Sequence, residues 1–272
     1  PRFSLRTMRC APAATPMENS MTDRVRVEAR VHSEYAVDSF TKMDGSIRFY
    51  GFVNAVILKA GSKAKVLDFG AGRGSFHDMR RSVFARHLQD LRKTGAEVWA
   101  SDIDPIVLTH PCSDHQVHFD PNEPLPFENE QFDVIVSDMV FEHIEDPPAM
   151  MGELRRILKP GGWICARTPN KWGYPTMCSR MIPNALHDRL LKYIQPFRKA
   201  EDVFPTVYKL NSPSDLKRQF PQDDVHWYYD IAEPGYHYNN RFAYRLFLML
   251  HRLLPPKFAV CVCLFVHKRA SV

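Results

Sequence analysis

The chain has 272 residues, 44% of them hydrophobic and 25% charged, the proportions of a folded globular protein and not of a disordered one. A chain of that length buries roughly three quarters of its unfolded surface, so it needs neither a disulfide nor a metal as a staple. A net charge of +5 is too mild to mark a nucleic-acid binder, and the longest apolar run, nine residues from Phe258 to Val266, falls far short of the roughly 20 that a membrane-spanning helix requires.

Residues 1–22 carry Arg2, Arg6 and Arg9 against one acid, Glu18, and their prolines interrupt any helical period. They read as a disordered leader or an upstream scar, with Met21 as the expected true start. Residues 23–62 read as a helical lead-in. From residue 63 strands and helices alternate: a strand at 65–69, a Gly-rich turn, a helix to about residue 94, and strands at 97–101, 116–119 and 132–137. A helix over 147–158 opens on Asp146-Pro147-Pro148 and stops at Lys159-Pro160-Gly161-Gly162, followed by a fifth strand at 163–167. Such alternation predicts an α/β fold, doubly wound and mostly parallel, with seven strands and helices on both faces of a Rossmann-like sheet. Residues 63–170 form its core. The rhythm breaks over 171–224, which read as a helical or irregular lobe laid over the acceptor side, with a helix over about 177–194. Residues 225–272 supply two last strands, 225–230 and 259–267, around a helix from Arg241 to Leu254.

The six cysteines include no Cys-x-x-Cys pair, and Cys261 and Cys263 fall on one face of a strand. Reduced thiols and a cytoplasmic location are expected. His110, Cys112, His115 and His118 lie within nine residues, but they lead into a strand that points its histidines in different directions, so no metal is expected.

The strongest chemical signal is Val66-Leu67-Asp68-Phe69-Gly70-Ala71-Gly72-Arg73-Gly74. A Gly-rich turn between strand and helix lets a ligand approach backbone N–H groups. Asp68 would repel a pyrophosphate and attract a cation, and Gly-x-Gly-x-Gly departs from the dinucleotide spacing. The loop therefore suits an adenosyl ligand with ammonium and sulfonium charge and no phosphate. Asp102 ends the second strand, where a carboxylate can accept from two ribose hydroxyls.

The stretches VLDFGAGRG, ASDIDP, LPFENEQFDVIVSDMVFEHIEDP and LRRILKPGGWICARTPN, in order over about 63–170, resemble the class I S-adenosylmethionine-dependent methyltransferases, in particular their broad small-molecule group. The resemblance implies that Asp68, Gly70, Ala71, Gly72 and Gly74 hold the methionine part of S-adenosylmethionine, Asp102 the ribose and Ile103 the adenine face. It places Asp120 near the adenine amino group and Asp138 beside the cofactor. In similar ubiquinone-pathway O-methyltransferases an acid pair and a histidine after the fourth strand bind a metal or serve the acceptor. Here Glu142-His143 matches, while Asp138 stands one position further upstream, which speaks against a metal.

Asp138, Glu142 and His143 are thus the catalytic candidates, His143 either as base or as a structural histidine. Trp172 and Tyr174 either wall the acceptor pocket or anchor the lobe. The helix from Arg241 to Leu254 sets three arginines on one stripe. It either buries its apolar face or makes peripheral contact with a membrane. The function expected is methyl transfer to a small-molecule, glycan or lipid-like acceptor. A catalytically idle binding or assembly protein and a nicotinamide-dependent oxidoreductase are the alternatives.

Overall fold

Short apolar runs bounded by glycine and proline become the strands of one sheet in the computed structural model, which describes residues 26–79, 82–180, 206–234, 237 and 239–270. The expected leader lies outside the described residues. Helices α1 (Val27–Val31), α2 (Tyr35–Asp38) and α3 (Gly45–Ala60) precede β1 (Lys65–Phe69). Then come α4 (Phe76–Met79), α5 (Val83–Gln89), β2 (Glu97–Asp102), β3 (His115–His118), β4 (Phe132–Asp138), α6 (Pro147–Ile157) and β5 (Leu158–Pro169). They are followed by α7 (Tyr174–Arg180), α8 (Pro213–Gln219), β6 (Asp224–Asp230), α9 (Arg241–Leu253) and β7 (Cys261–His267). The seven strands run in the order β3-β2-β1-β4-β5-β7-β6, with β7 antiparallel to both of its neighbours and the other pairs parallel.

Strand alternation sorts the core into two layers. Leu67, Phe69, Ile135 and Ile164 face α6 and bury Met151, Leu154 and Ile157 against them. Val66, Val98, Val134 and Val136 face α3 and cover Phe49, Val53 and Ile57. Asp44 starts α3 by accepting from the Ser46 and Ile47 N–H groups, and the buried Phe49, Val53 and Ile57 hold that helix against the sheet.

Two expectations need correction. The helix after the Gly-rich turn does not run on to residue 94. Ser82 starts a separate helix, α5, by accepting from the Ala85 N–H, and Asp38 of α2 reinforces that start by accepting from Ser82 Oγ and from the Val83 and Phe84 N–H groups. Nor does the fifth strand begin at residue 163, after Lys159–Gly162. β5 takes it in, with a bulge against β4 between Phe132 and Val134, and Gly161 at φ 77° supplies the turn of backbone that a bulge needs. The helix expected over 177–194 lies beyond Arg180 outside the described residues.

Candidate functional site

Ligands of an open parallel sheet bind beyond the carboxyl ends of its strands, where β1, β2, β4 and β5 here deliver their last residues. After β1, the Gly70 and Ala71 N–H groups both donate to Ser101 O at 2.8 and 3.0 Å, which folds the loop back over β2. Gly70 presses so closely on Val140 that a Cβ would stand 2.2 Å from its Cγ2. Gly72 is the opposite case: its φ is 54° and no heavy atom lies within 4 Å of where a Cβ would be. This is the open side of the loop. Its N–H donates to Asp102 Oδ2 at 2.8 Å, while Asp102 Oδ1 accepts from Asp104 N at 2.9 Å. Asp102 therefore also pins the loop beside it. Ile103, next along, leaves its apolar side chain 40% exposed.

Three carboxylates share this edge. Asp68 is half-buried, and no cation among the described residues pairs with it. Burial, with Asp138 and Asp102 adding their charges, pushes its pKa up to about 7. Burial also raises Asp102. Asp68, unpaired with any cation among the described residues, and the open space at Gly72 belong to the same strand edge, a combination that suits a cation better than a phosphate. The residues present thus fit the ammonium and sulfonium charge of S-adenosylmethionine. Asp120 sits exposed just past β3, where N–H bonds from the Asn122 backbone and side chain hold its carboxyl below the usual range.

The acceptor-side candidates separate. Asp138 takes a two-pronged ion pair from Arg167, Nε to Oδ1 and Nη2 to Oδ2, both at 2.7 Å, and a bond from the Tyr50 hydroxyl at 3.2 Å. Arg167 also donates to Ser46 Oγ and lies over the Phe49 ring, so this pair locks α3 onto the sheet. Glu142 is buried and accepts from Thr168 Oγ1 at 3.2 Å; Thr168 in turn accepts from Asn211 Nδ2 at 2.7 Å. Arg167 and Thr168 are successive residues of one strand, so their side chains point to opposite faces. Asp138 and Glu142 are consequently held on opposite sides of the sheet and do not form an acid pair. His143, in a 3-10 turn just after β4, keeps 23% of its side chain exposed, with Nε2 3.9 Å from Glu142 Oε1.

Trp172 is half-exposed at the start of the lobe with Lys171 over its ring. Tyr174 instead stacks on Phe247 and bonds His251 Nε2 at 2.9 Å, tying α7 to α9. The cluster near His110 is scattered: His110 Nδ1 accepts from Cys112 N, His115 meets Glu97, and His118 bonds Ile103 O. Among the described residues no group of three or more His, Cys, Asp or Glu is placed to hold a metal.

A methyltransferase domain family matches residues 45–223, from the start of α3 to the foot of β6. The chain belongs to the S-adenosylmethionine-dependent methyltransferases. Their cofactor is S-adenosylmethionine, in agreement with the edge described above. Similar curated proteins share parts of this methyltransferase. An uncharacterized methyltransferase of Schizosaccharomyces pombe is 42% identical over 43 residues, 16% of either chain. Methyltransferase str2 of Strobilurus tenacellus is 29% identical over 105 residues, 38% of this chain and 35% of that one. The ubiquinone biosynthesis O-methyltransferase of Salmonella newport is 30% identical over 88 residues, 29% of this chain and 36% of that one. The chain therefore spans little more than a third of the best covered of these relatives. Among solved structures, the 4+2 cyclase SpnF superposes with a TM-score of 0.51 at 12% identity over 82% of each chain, a likeness of fold alone.

Sequence reading missed Tyr50, Ser46, Arg167 and Asn211. Only Arg167 left a trace, as a charge at the end of an otherwise apolar strand.

Proposed function

We propose that this methyltransferase carries a methyl group to a small-molecule, glycan or lipid-like acceptor whose nucleophilic atom must give up a proton. When bound, S-adenosylmethionine supplies a methyl carbon already activated by sulfonium, so the protein's share is positioning and proton removal. In this reading Asp68 and the loop from Gly70 to Gly74 hold the cationic end, Asp102 the ribose hydroxyls, Ile103 the adenine face and Asp120 the adenine amino group. Asp138 works through Arg167 and Tyr50, keeping α3 over the methionine end.

His143 takes the acceptor proton. Glu142, fixed by Thr168 and Asn211, holds the turn that carries His143 and places a carboxylate within ion-pair reach of the ring. Trp172 lines the acceptor pocket and Tyr174 anchors the segment that leaves β5. The observation that carries this reading is the division of the edge by β4: a cation cradle opens on the β1 side, and a part-exposed histidine stands on the turn that follows β4.

The test is transfer of labelled methyl from S-adenosylmethionine to a panel of phenols, sugars and lipid-linked alcohols. Product formation that is lost in His143→Ala supports the reading. Tight cofactor binding with no product from any acceptor would leave a binding or assembly protein.

A further inference from the structure

α9 departs from the usual economy of an amphipathic helix. Its inner side buries Tyr244 and His251, with Tyr244 edge-on to His32 and His237 and bonded to Glu233. Its outer side carries Phe242, Leu246, Met249 and Leu253, exposed by 79, 50, 54 and 73%. The spacing i, i+4, i+7, i+11 puts these four on one line, opposite the buried face. Arg241, Arg245 and Arg252 form a second line beside it, and the helix contains no acid. Glu28 and Glu233, the acids beneath it, are turned inward to His237 and Tyr244.

Topology fixes where this surface points. Because β7 is antiparallel to β5 and to β6, β6 ends and β7 begins at the same edge, Asp230 and Pro169 both pairing with Cys261. That edge is the one at which β1, β4 and β5 finish. The connection that contains α9 therefore starts and ends at the edge that carries the site, and Tyr174 joins it to the segment leaving β5.

We infer that the outer face of α9 docks on an anionic lipid surface, helix axis in the membrane plane, with the four apolar side chains inserted among acyl chains and the arginine line on the headgroups. The combination of an apolar line with an adjacent cationic line is what such a surface selects. A second copy fits less well: two such helices paired antiparallel about a two-fold axis would set arginines against arginines with no acid between them. No helix among the described residues is long and apolar enough to cross a membrane, so the attachment is peripheral. It stands independently of the methyl-transfer reading, since it needs no turnover to be seen.

The test is co-sedimentation of the full chain with vesicles of phosphatidylcholine, with or without about one third phosphatidylserine. Wild-type chain sediments with the phosphatidylserine vesicles and is released by salt. Phe242→Ser with Leu253→Ser lowers the partition coefficient about tenfold or more. Arg241→Gln, Arg245→Gln and Arg252→Gln together abolish the preference for phosphatidylserine. The substituted side chains are exposed, so thermal unfolding of each variant matches the wild type and excludes misfolding as the cause. Wild-type chain that ignores both vesicles overturns the proposal, as do variants that bind unchanged. It is equally overturned if the apolar substitutions split a dimer in sedimentation equilibrium and leave vesicle binding intact.

Discussion

On the β1–β2 side of the carboxyl edge the polar contacts join short stretches of chain: Gly72 N–H reaches an acid 30 positions away, and the acid's other oxygen bonds a residue two positions on. On the β4–β5 side Arg167–Asp138 and Thr168–Glu142 span similar stretches, but the contacts that bring in α3 span far more chain. Tyr50 meets Asp138 across 88 positions, and Arg167 meets Ser46 across 121. The first half presents mainly backbone, opened by glycine, and the second presents side chains fixed by other side chains. A ligand held by the first half should be sensitive to backbone shape, and chemistry in the second to the loss of single groups.

The sharpest way to test the first half is Gly72→Val. The branched side chain would fill the open face of the loop and resist the φ of 54°. Calorimetry should show cofactor affinity falling by more than about a hundredfold, about 2.7 kcal/mol. Since no heavy atom lies within 4 Å of the new Cβ, the fold should persist by circular dichroism.

His143→Ala addresses the other half. Turnover should drop by about 10²–10⁴ while the cofactor Kd stays put. Equal losses in both would show that His143 supports the cradle, and the two halves would then be one unit.

Asp102→Ala should weaken the cofactor by about tenfold or more, about 1.5–3 kcal/mol for charge-assisted bonds. Its effect mixes the ribose contact with the pinning of Gly72, so Asp102→Asn, which keeps one acceptor for the loop, should be milder in a binding titration.

The smallest effect is that of pH. Asp68 in the free chain has its pKa pushed up to about 7, and a cation beside it favours the ionised form. Affinity should therefore be level above that pH and fall as pH drops through it, by up to about tenfold per unit, with protons released on binding. Titrations in buffers of different ionisation heat will count those protons; Asp68→Asn should flatten the profile. A slope that survives in that variant would assign the proton to another group.

The helical pattern around α9 shows how far periodicity carries. Arg241, Arg245 and Arg252 were legible as a stripe because the helical repeat is local. Which apolar side turns inward was not legible, because Tyr244 is claimed by Glu233 and the rings of His32 and His237, partners outside the helix. The break after α4 is part local and part distant: Ser82 caps α5 by itself, and Asp38, from another helix, binds that cap and the next two N–H groups.

What the amino-acid order determined by itself is the strand–loop–helix unit at Asp68, the acid at Asp102 and the parallel crossover pattern, because turns, caps and alternation act over a few residues. Only the tertiary structure decided that Asp138 serves Arg167 and Tyr50 while Glu142 serves Thr168. That choice rests on successive residues of β5 facing opposite sides of the sheet, and on α3 and Asn211 arriving from distant parts of the chain. Spacing along the sequence brought Asp138, Glu142 and His143 into one cluster; the pleat of a neighbouring strand pulled the two acids apart.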